Sequence, residues 1–233
     1  MKTILVTGGD GRFANILKKI DSKYNFIFTK KKILNINNCK SIRDNLNLFK
    51  PHAVLHLAGL SRPLDLHNKN ITKSITLNII GTSNLVNECS KKNIKLIYFS
   101  TSYVYQGTKG GYKEIDPVLP WSNYGWSKLG GECAVQLYKN SLILRVCMTE
   151  KPFIHKKAYA NVKTNFIFHE DLAKIFFKVI SKKGLINIGG RSQSIYNFAK
   201  KENKLVKKKY SRGEFPLYQD MNLKKLMKLI KKR

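Results

Sequence analysis

The sequence predicts an α/β fold, a doubly wound parallel sheet followed by a reduced C-terminal part. Short apolar stretches alternate with segments of helical periodicity as far as residue 146, and the links between them are short. A Gly-rich turn joins the first apolar stretch to the first helical one. This alternation is typical of βαβ units, and the ligands of such sheets lie beyond the carboxyl ends of the strands.

The first strand and the turn after it predict a phosphate-binding site. Lys2–Thr7 is a short apolar strand, and residues 8–14 read GGDGRFA before a helical pattern begins. Gly8, Gly11 and the small Ala14 let the backbone approach a pyrophosphate, and the helix N-terminus supplies N–H groups and a favourable dipole. The turn therefore predicts a dinucleotide-binding fold of the Rossmann type.

The end of the second strand bears on the choice of cofactor. Residues 25–29 form this strand, and Lys30, Lys31 and Lys32 follow it without an acidic residue. An Asp or Glu at this place binds the ribose 2′-hydroxyl of NAD, whereas a cation accommodates the 2′-phosphate of NADP. NADP(H) is therefore favoured as the cofactor, and NAD(H) stays possible.

The remaining elements follow from their own patterns. Apolar runs predict strands at residues 53–58, 95–99, 142–146, 164–168 and 186–188. Helical spacing predicts helices at residues 42–49, 75–89, 171–180 and 222–232, and another that begins at Tyr124. Residues 148–162 are predicted to be a loop, and His56 is predicted to be a core histidine. We expect a dinucleotide-binding core over residues 1–147 and a reduced substrate-binding part over residues 148–233, in which residues 164–182 pack back on the core.

Tyr124 and Lys128 are the candidate catalytic pair. They are four residues apart, so on a helix they share one face about one turn apart. A phenol has an ordinary pKa of roughly 10, and a nearby ammonium lowers that pKa because it favours the phenolate. Thr101 ends the preceding strand, and its hydroxyl could reach the same oxygen. The three residues predict a site that gives a proton to a polarised carbonyl.

The charge of the chain is strongly positive but is spread along the sequence. Its 233 residues include 44 Lys and Arg against 14 Asp and Glu, a formal net charge of +30. A content of 42% hydrophobic residues indicates a globular protein. Lysines occur throughout, more densely near the C-terminus, and arginine, the residue preferred for reading phosphodiesters, is scarce. We therefore expect no specific nucleic-acid partner.

The cysteines and the apolar segments bear on the compartment. The four cysteines are far apart, without Cys-x-x-Cys or His at metal-ligand spacing, so we expect buried thiols and no metal site. Residues 1–6 lead straight into a strand, without the apolar region of a secretory signal. No apolar run approaches the ~20 residues that span a bilayer. The sequence predicts a cytoplasmic protein with no membrane partner.

With these motifs in place, the chain resembles the short-chain dehydrogenase/reductase superfamily, and more closely its extended branch acting on nucleotide-linked sugars. Residues 100–107 and the Pro120-x-x-x-Tyr124-Gly-x-x-Lys128 spacing are similar to the corresponding stretches of dTDP-4-dehydrorhamnose reductases. Five further stretches match the branch: HLAG at 56–59, NIIGT at 78–82, YKEIDP at 112–117, KLGGE at 128–132 and FHEDLA at 168–173.

The resemblance implies a role for each candidate residue. Thr101 would hold the substrate carbonyl, Tyr124 would deliver or remove the proton, and Lys128 would bind the nicotinamide ribose and keep the phenol acidic. Asn35 stands where the family often has a carboxylate that contacts adenine, and Arg12 would bind the 2′-phosphate. The residues implied to bind the cofactor are Gly8, Gly11, Arg12, Phe13, Lys30, Asn35, Leu57, Ala58, Gly59, Tyr124 and Lys128.

The resemblance also narrows the reaction. Dehydratases of this branch carry Asp-Glu directly after the catalytic Thr, whereas this chain has Ser102-Tyr103, which disfavours dehydration. We therefore predict an NADP(H)-dependent oxidoreductase that reduces a keto group on a nucleotide-linked deoxysugar. A nucleotide-sugar 4-epimerase that uses NAD and a non-catalytic cofactor-binding regulatory protein stay as alternatives. The branch often forms homodimers through the helices after Gly81 and around Tyr124, so a homodimer is possible here.

Overall fold

The computed structural model of the chain describes residues 1–231. Its strands are β1 Lys2–Thr7, β2 Tyr24–Thr29, β3 Ala53–His56, β4 Lys95–Thr101, β5 Ser141–Val146, β6 Met148–Thr149, β7 Lys157–Tyr159, β8 Lys163–Thr164, β9 Ile167–Phe168, β10 Gly184–Ile188, β11 Gln193–Ser194 and β12 Lys207–Lys209. Its α-helices are α1 Arg12–Leu17, α2 Cys39–Phe49, α3 Leu66–Lys69, α4 Ile71–Ile75, α5 Gly81–Lys91, α6 Asn123–Gln136, α7 His169–Val179, α8 Ile195–Lys200 and α9 Lys224–Lys231. A π-helical turn, Thr76–Ile80, joins α4 to α5, and a 3₁₀ turn, Ser102–Val104, follows β4.

The predicted doubly wound sheet is confirmed. Six strands form it in the order β10-β5-β4-β3-β1-β2. β1 pairs in parallel with β2 and with β3, and β3 pairs in parallel with β4, so these strands end at one edge of the sheet. The chain adds β2 on one side of β1 and β3 on the other. The strand order therefore reverses beside β1, which is where such sheets bind their ligands.

The chain clusters into two compact units whose segments alternate along the sequence. The first unit comprises Met1–Ser100, Asn123–Leu144 and Ile180–Gly184. The second comprises Thr101–Ser122, Arg145–Val179 and the residues from Leu185 onward. The domain boundary after residue 147 stays a prediction.

Close packing of α6 on the π-helical turn shapes the first unit. A Cβ at Gly131 would clash with the carbonyl oxygen of Asn78 and would lie 2.7 Å from the Tyr98 hydroxyl. That hydroxyl donates to the Lys128 carbonyl oxygen at 2.9 Å. The helix predicted over residues 75–89 is thus interrupted by a π turn at the place where α6 crosses it, and such turns occur often at functional sites.

Buried Glu88 joins two helices of the first unit. Its carboxylate accepts hydrogen bonds from Arg43 of α2 at 3.0 and 3.1 Å and from Lys91 at 2.9 Å. These bonds, those from Arg43 first, lower the pKa of Glu88 to about 2.

Glu88→Gln is expected to lower the free energy of unfolding at pH 7 by about 1.5–3 kcal/mol, because charge-assisted hydrogen bonds are lost. The pKa of Glu88 is lower in the folded state than its ordinary 4.5. Its contribution is therefore present above pH 4.5 and is lost as the pH falls towards 2. Denaturant unfolding of both proteins at pH 7 and pH 3 measures the effect. A difference as large at pH 3 as at pH 7 contradicts it.

Two predictions about the C-terminal part are wrong. Residues 148–162, predicted as a loop, contain β6 and β7. The single strand predicted at residues 164–168 is divided because its ends pair differently: β8 is antiparallel to β11, and β9 is parallel to β6. Asn165 lies at the division, where its side chain bonds the backbone of Gly190 and Met221. Strands of two residues are too short to show the period-two alternation that reveals a strand.

The YKEIDP stretch at residues 112–117 belongs to a buried polar network of the second unit. Arg145, which is 2% exposed, donates to the Tyr105 hydroxyl at 2.8 Å. Asn187 accepts from that hydroxyl at 2.9 Å and donates to the Tyr112 carbonyl oxygen at 2.9 Å. Glu114 accepts from the Asn187 N–H at 3.0 Å. The stretch therefore has a structural role within this unit.

The last predicted helix, residues 222–232, corresponds to α9, and Lys232 lies outside the described residues. Cys89 and Cys147 are buried as predicted, but Cys39 is half-buried, and Cys133 is exposed because it lies one heptad after exposed Trp126 on α6.

Within residues 1–231, no helix combines the length and apolar character needed to cross a membrane. The same residues hold no cluster of His, Cys, Asp or Glu suited to a metal ion.

Candidate active site

The Gly-rich turn after β1 packs against the loop after β3. Gly8 has φ of +68°, a left-handed conformation that favours glycine, and a Cβ there would lie 2.7 Å from the Ala58 nitrogen. The Ala58 N–H donates to the Thr7 hydroxyl at 3.2 Å, and the Gly11 N–H donates to the Gly8 carbonyl oxygen at 2.9 Å. The structure therefore brings Gly8, Gly11 and Ala58 together beside the reversal in strand order.

Asn78, in the π-helical turn, fixes the same loop to α6. It is 1% exposed, and its amide exchanges hydrogen bonds with the Leu60 backbone at 2.7 and 2.9 Å. Its Nδ2 also donates to the Ser127 hydroxyl at 2.8 Å. A Cβ at Gly59 would lie 2.8 Å from Asn78 Oδ1. This amide therefore holds Leu60 and the adjacent Gly59 in one position relative to α6, and the predicted Leu57 and Ala58 directly precede them.

The basic residues predicted to select NADP lie beside the Gly-rich turn. Arg12 begins α1, and its Nη2 donates to the Ser61 hydroxyl at 3.5 Å. Lys30 follows β2, and its Nζ lies 3.4 Å from the Asp10 carboxylate in an exposed ion pair. Exposed pairs of this kind contribute little free energy. Lys30 can therefore exchange Asp10 for another anion at small cost.

Phe13 and Asn35 have local structural roles. The Phe13 side chain is 4% exposed and packs on Phe99 with ring centroids 5.0 Å apart, so we expect a ligand to meet only its main-chain amide. Asn35 Oδ1 accepts from the Asn37 N–H at 3.1 Å, and the Asn35 N–H donates to the Ser41 hydroxyl at 3.0 Å. These bonds form the turn before α2. The contact of Asn35 with adenine stays a prediction.

Tyr124 and Lys128 lie on α6, and both are half-buried. The Lys128 Nζ lies 4.1 Å from the centroid of the Tyr98 ring, on the neighbouring strand β4. Burial lowers the pKa of Lys128 to about 7, and the negative charge of Glu132 opposes this shift in part. Lys128 therefore titrates near neutral pH, whereas an exposed lysine stays charged.

Lys128→Met is expected to stabilise the protein, most strongly at low pH. Between pH 7 and 10.5 the folded protein binds fewer protons at Lys128 than the unfolded chain, so wild-type stability rises with pH through this window. Removing the lysine removes that dependence. We expect the melting temperature to rise by roughly 2–4 °C at pH 6, which corresponds to about 1 kcal/mol, and by less at pH 9.5. Thermal unfolding at both values measures this, and a destabilised variant at pH 6 contradicts it.

His56 is a core histidine, as predicted. It is 2% exposed, and its ring nitrogens lie 2.8 Å from the Thr7 hydroxyl and 3.0 Å from the Thr82 hydroxyl. Burial, with a smaller effect from Lys128, lowers its pKa to about 3. The imidazole is therefore neutral at pH 7 and links β3 to β1 and α5.

Thr101 is the last residue of β4 and is 5% exposed. Its hydroxyl accepts from the Tyr103 N–H at 3.3 Å, which begins the 3₁₀ turn. It belongs to the second unit, whereas Tyr124 and Lys128 belong to the first. Its contact with a substrate carbonyl stays a prediction.

The second unit carries an aromatic cluster, which we define as Tyr103, Trp121, Tyr159 and Phe215. The Trp121 and Phe215 ring centroids are 4.7 Å apart, and Tyr103 lies 5.0 Å from Trp121. Tyr159 lies 5.3 Å from Phe215, and Lys209 Nζ lies 3.9 Å from the Tyr159 ring centroid. Trp121 Nε1 is buried without a hydrogen-bond partner in the described residues. Aromatic rings beside a cation are suited to a base and a phosphate.

Sequence reasoning gave no role to Asn78, Ser127 or His67, although they lie around α6. Asn78 lies in the NIIGT stretch that matches the branch, and this match is the one sequence signal that pointed to it. His67 is 1% exposed and its ring centroid lies 5.1 Å from that of Tyr124. His67 and Tyr124 are far apart in the sequence, so no local sequence pattern could have connected them.

The fold is that of the extended branch of the short-chain dehydrogenase/reductase superfamily. The family described as the RmlD substrate binding domain matches residues 1–156. The chain belongs to this family.

A dTDP-4-dehydrorhamnose reductase from Aggregatibacter actinomycetemcomitans is 29% identical over 154 residues, which cover 64% of this chain and 52% of the relative. The methionine adenosyltransferase 2 subunit beta of Xenopus tropicalis is 35% identical over 115 residues, 48% of this chain and 34% of the relative. The chain thus spans about half the length, or less, of these relatives.

Solved structures confirm the fold. A dTDP-4-dehydrorhamnose reductase from Bacillus anthracis, in complex with NADP, superposes with a TM-score of 0.86 at 24% identity, covering 97% of this chain and 91% of that one. A UDP-glucose 4-epimerase from Thermus thermophilus, in complex with NAD, superposes with a TM-score of 0.75 at 16% identity, covering 97% and 92%. At these identities the likeness concerns the fold.

Proposed function

We propose that this chain is an NADP(H)-dependent reductase of a keto group on a nucleotide-linked deoxysugar, with Tyr124 as the general acid. The observation that carries the proposal is Lys128, half-buried one turn from Tyr124 on α6, with its pKa lowered to about 7. Membership of the RmlD substrate binding domain family and the reductase among the relatives support the reaction class.

The residues present fit a dinucleotide cofactor. Three of the four positions in the turn at residues 8–11 are glycine, so its main chain can be approached closely. Arg12 and Lys30 supply positive charge for a 2′-phosphate, and Asn78 holds the end of the loop of residues 57–59 beside them. When bound, the nicotinamide of NADPH supplies a hydride to the carbonyl carbon of the substrate.

The side chains of this chain carry the proton. Tyr124 gives the proton of its hydroxyl to the carbonyl oxygen, and a charged Lys128 makes this easier because it favours the phenolate. Lys128 would also hold the ribose of the cofactor. The Thr101 hydroxyl donates to the carbonyl oxygen and polarises it.

Consumption of NADPH with dTDP-4-dehydrorhamnose and other 4-keto nucleotide sugars tests this proposal. We expect saturable turnover with at least one sugar and a preference for NADPH over NADH, because Arg12 and Lys30 are cations. NADPH that binds but is not consumed with any sugar contradicts the reductase. An epimerase would instead retain NAD through purification and interconvert sugars without net consumption.

A second candidate function is that of a non-catalytic subunit. The observation that favours it is the 35% identity to the methionine adenosyltransferase 2 subunit beta, higher than the identity to the reductase. Under this alternative the chain binds a dinucleotide and another enzyme, and reduces no sugar. Co-purification with a methionine adenosyltransferase catalytic subunit, together with no turnover, would favour it.

We also propose a homodimer formed through α6 and the helices beside it. Trp126 of α6 and Leu137, which directly follows α6, are 48% and 86% exposed. Ile75 and Ile80 on the neighbouring helical stretch are 41% and 47% exposed. Grouped exposed apolar side chains favour burial in an interface. Light scattering during size-exclusion chromatography measures the mass in solution. A monomer at all concentrations contradicts the proposal.

A further inference from the structure

His67 is a buried imidazole beside Tyr124 whose hydrogen bonds are incomplete. It lies in α3, and its Nδ1 is 2.7 Å from the hydroxyl of Ser74 in α4. Its Nε2 is buried and has no hydrogen-bond partner within residues 1–231. Its ring centroid lies 5.1 Å from that of Tyr124, with 60° between the planes. One ring nitrogen is therefore tied to Ser74, and the other lacks a conventional partner.

A buried nitrogen of this kind needs an explanation. Leaving a buried polar group unpaired costs roughly 1–3 kcal/mol. A ring N–H recovers part of this cost when it lies against the face of an aromatic ring. The separation and tilt of the His67 and Tyr124 rings fall within the range of edge-to-face pairs. Tyr124 is therefore a suitable acceptor for an N–H of His67.

Ser74 can decide which nitrogen of His67 carries the proton. The Ser74 side chain is 3% exposed, and when its hydroxyl donates to Nδ1, a neutral imidazole must carry its proton on Nε2. Burial first, and then the charge of Lys128, lower the pKa of His67, so the ring is neutral at pH 7. A Ser74 hydroxyl that donates to Nδ1 is thus compatible with the tautomer that can face Tyr124.

We propose that His67 is a positioning residue for Tyr124: Ser74 holds its ring as the Nε2–H tautomer, and this N–H lies against the face of the Tyr124 ring. The inference rests on the proposed function, in which Tyr124 gives up a proton. The positive end of an N–H dipole at the ring face stabilises the phenolate more than the phenol. It also holds the ring in one orientation on α6.

The other titratable groups near this pair stay constant in the test. Lys128 lies one turn along α6, and Tyr98, on β4, interacts electrostatically with Tyr124. On α3 and α4 the nearest cations are Lys69, whose Nζ is paired with Asp65 at 2.7 Å, and Lys73. Substitution of His67 leaves all of these in place, so a change in the pKa of Tyr124 reports on the imidazole.

The first measurement is an NMR titration of protein labelled at tyrosine Cζ, with the Tyr124 signal assigned through Tyr124→Phe. His67→Phe keeps a ring against Tyr124 but removes the N–H. We expect it to raise the pKa of Tyr124 by about half a unit. Ser74→Ala keeps the imidazole and frees its tautomer, so we expect a smaller shift in the same direction. His52→Phe, at an exposed histidine that accepts from the Thr3 N–H, is the matched control and should cause no shift.

The second measurement is turnover. We expect His67→Phe to lower kcat at neutral pH by roughly three- to tenfold and to leave KM within about twofold, because a contact with the acid affects the proton-transfer step. An unchanged pKa of Tyr124 in His67→Phe overturns the inference, and if that variant does not fold, an unchanged pKa in Ser74→Ala does so. The titration needs no substrate. Its failure is therefore distinct from a wild-type protein without turnover, which contradicts the proposed function.

Discussion

Tyr124→Phe is expected to lower the rate of NADPH-dependent sugar reduction by about 10³-fold, within the range that a positioned general acid supplies. The change removes one hydroxyl and keeps the ring, whose centroid lies 5.1 Å from that of the His67 ring. Because the Gly8 turn is unchanged, NADPH affinity should stay close to its wild-type value. Steady-state kinetics with the best sugar substrate, beside a cofactor titration, separates the two effects.

The matched control for this prediction is Tyr210→Phe, because Tyr210 is 60% exposed and belongs to the second unit. It should turn over like the wild type. If Tyr124→Phe keeps a tenth or more of wild-type activity, Tyr124 is not the proton donor. If Tyr124→Phe instead loses NADPH binding, the role of the Tyr124 hydroxyl is structural.

Gly8→Ala is expected to lower NADPH affinity by about 100-fold and the free energy of unfolding by about 2 kcal/mol. A side chain at this position is disfavoured both by the positive φ of Gly8 and by the nearby backbone of Ala58. The added Cβ would lie 2.7 Å from the Ala58 nitrogen. That nitrogen is bonded to the Thr7 hydroxyl, so the turn must move instead. Equilibrium titration with NADPH measures the loss.

Gly184→Ala provides the matched control. Gly184 also has a left-handed φ, +83°, but a Cβ there would meet nothing within 4 Å. This variant should lose stability through backbone strain alone and bind NADPH like the wild type. Equal losses of affinity in both variants, or a loss in neither, would contradict the placement of the cofactor on the Gly8 turn.

The sequence was sufficient for the parts of the fold that rest on long apolar runs. Strands β1, β3, β4 and β5 are largely buried in the sheet, so their composition marks them. The π-helical turn at Thr76–Ile80 was not predictable, because a shift of backbone hydrogen bonds leaves the apolar spacing of a helix almost unchanged. The division between β8 and β9 depends on partners distant in sequence, which no local pattern contains.

The elements that carry the candidate site residues were predictable from the sequence, and the electrostatics around those residues were less so. The Gly8 turn and the Tyr124 helix follow from local spacing, and β1, β3 and α6 place them in the first unit. Sequence reasoning treated Lys128 as a permanent cation. Burial, in part against Tyr98, lowers the pKa of Lys128 to about 7, and this burial depends on tertiary packing. The position of His67 beside Tyr124 depends on packing in the same way.

Transfer of deuterium from NADPH deuterated at C4 of the nicotinamide tests whether this chain reduces a nucleotide-linked sugar. A single turnover with dTDP-4-dehydrorhamnose, followed by mass spectrometry of the sugar, shows where the hydride goes. We expect one deuterium on the former carbonyl carbon of the sugar, one NADP⁺ for each sugar reduced, and a rate of transfer about 10³-fold lower in Tyr124→Phe. Bound NADPH that transfers no deuterium, or transfer that is undiminished in Tyr124→Phe, would contradict it.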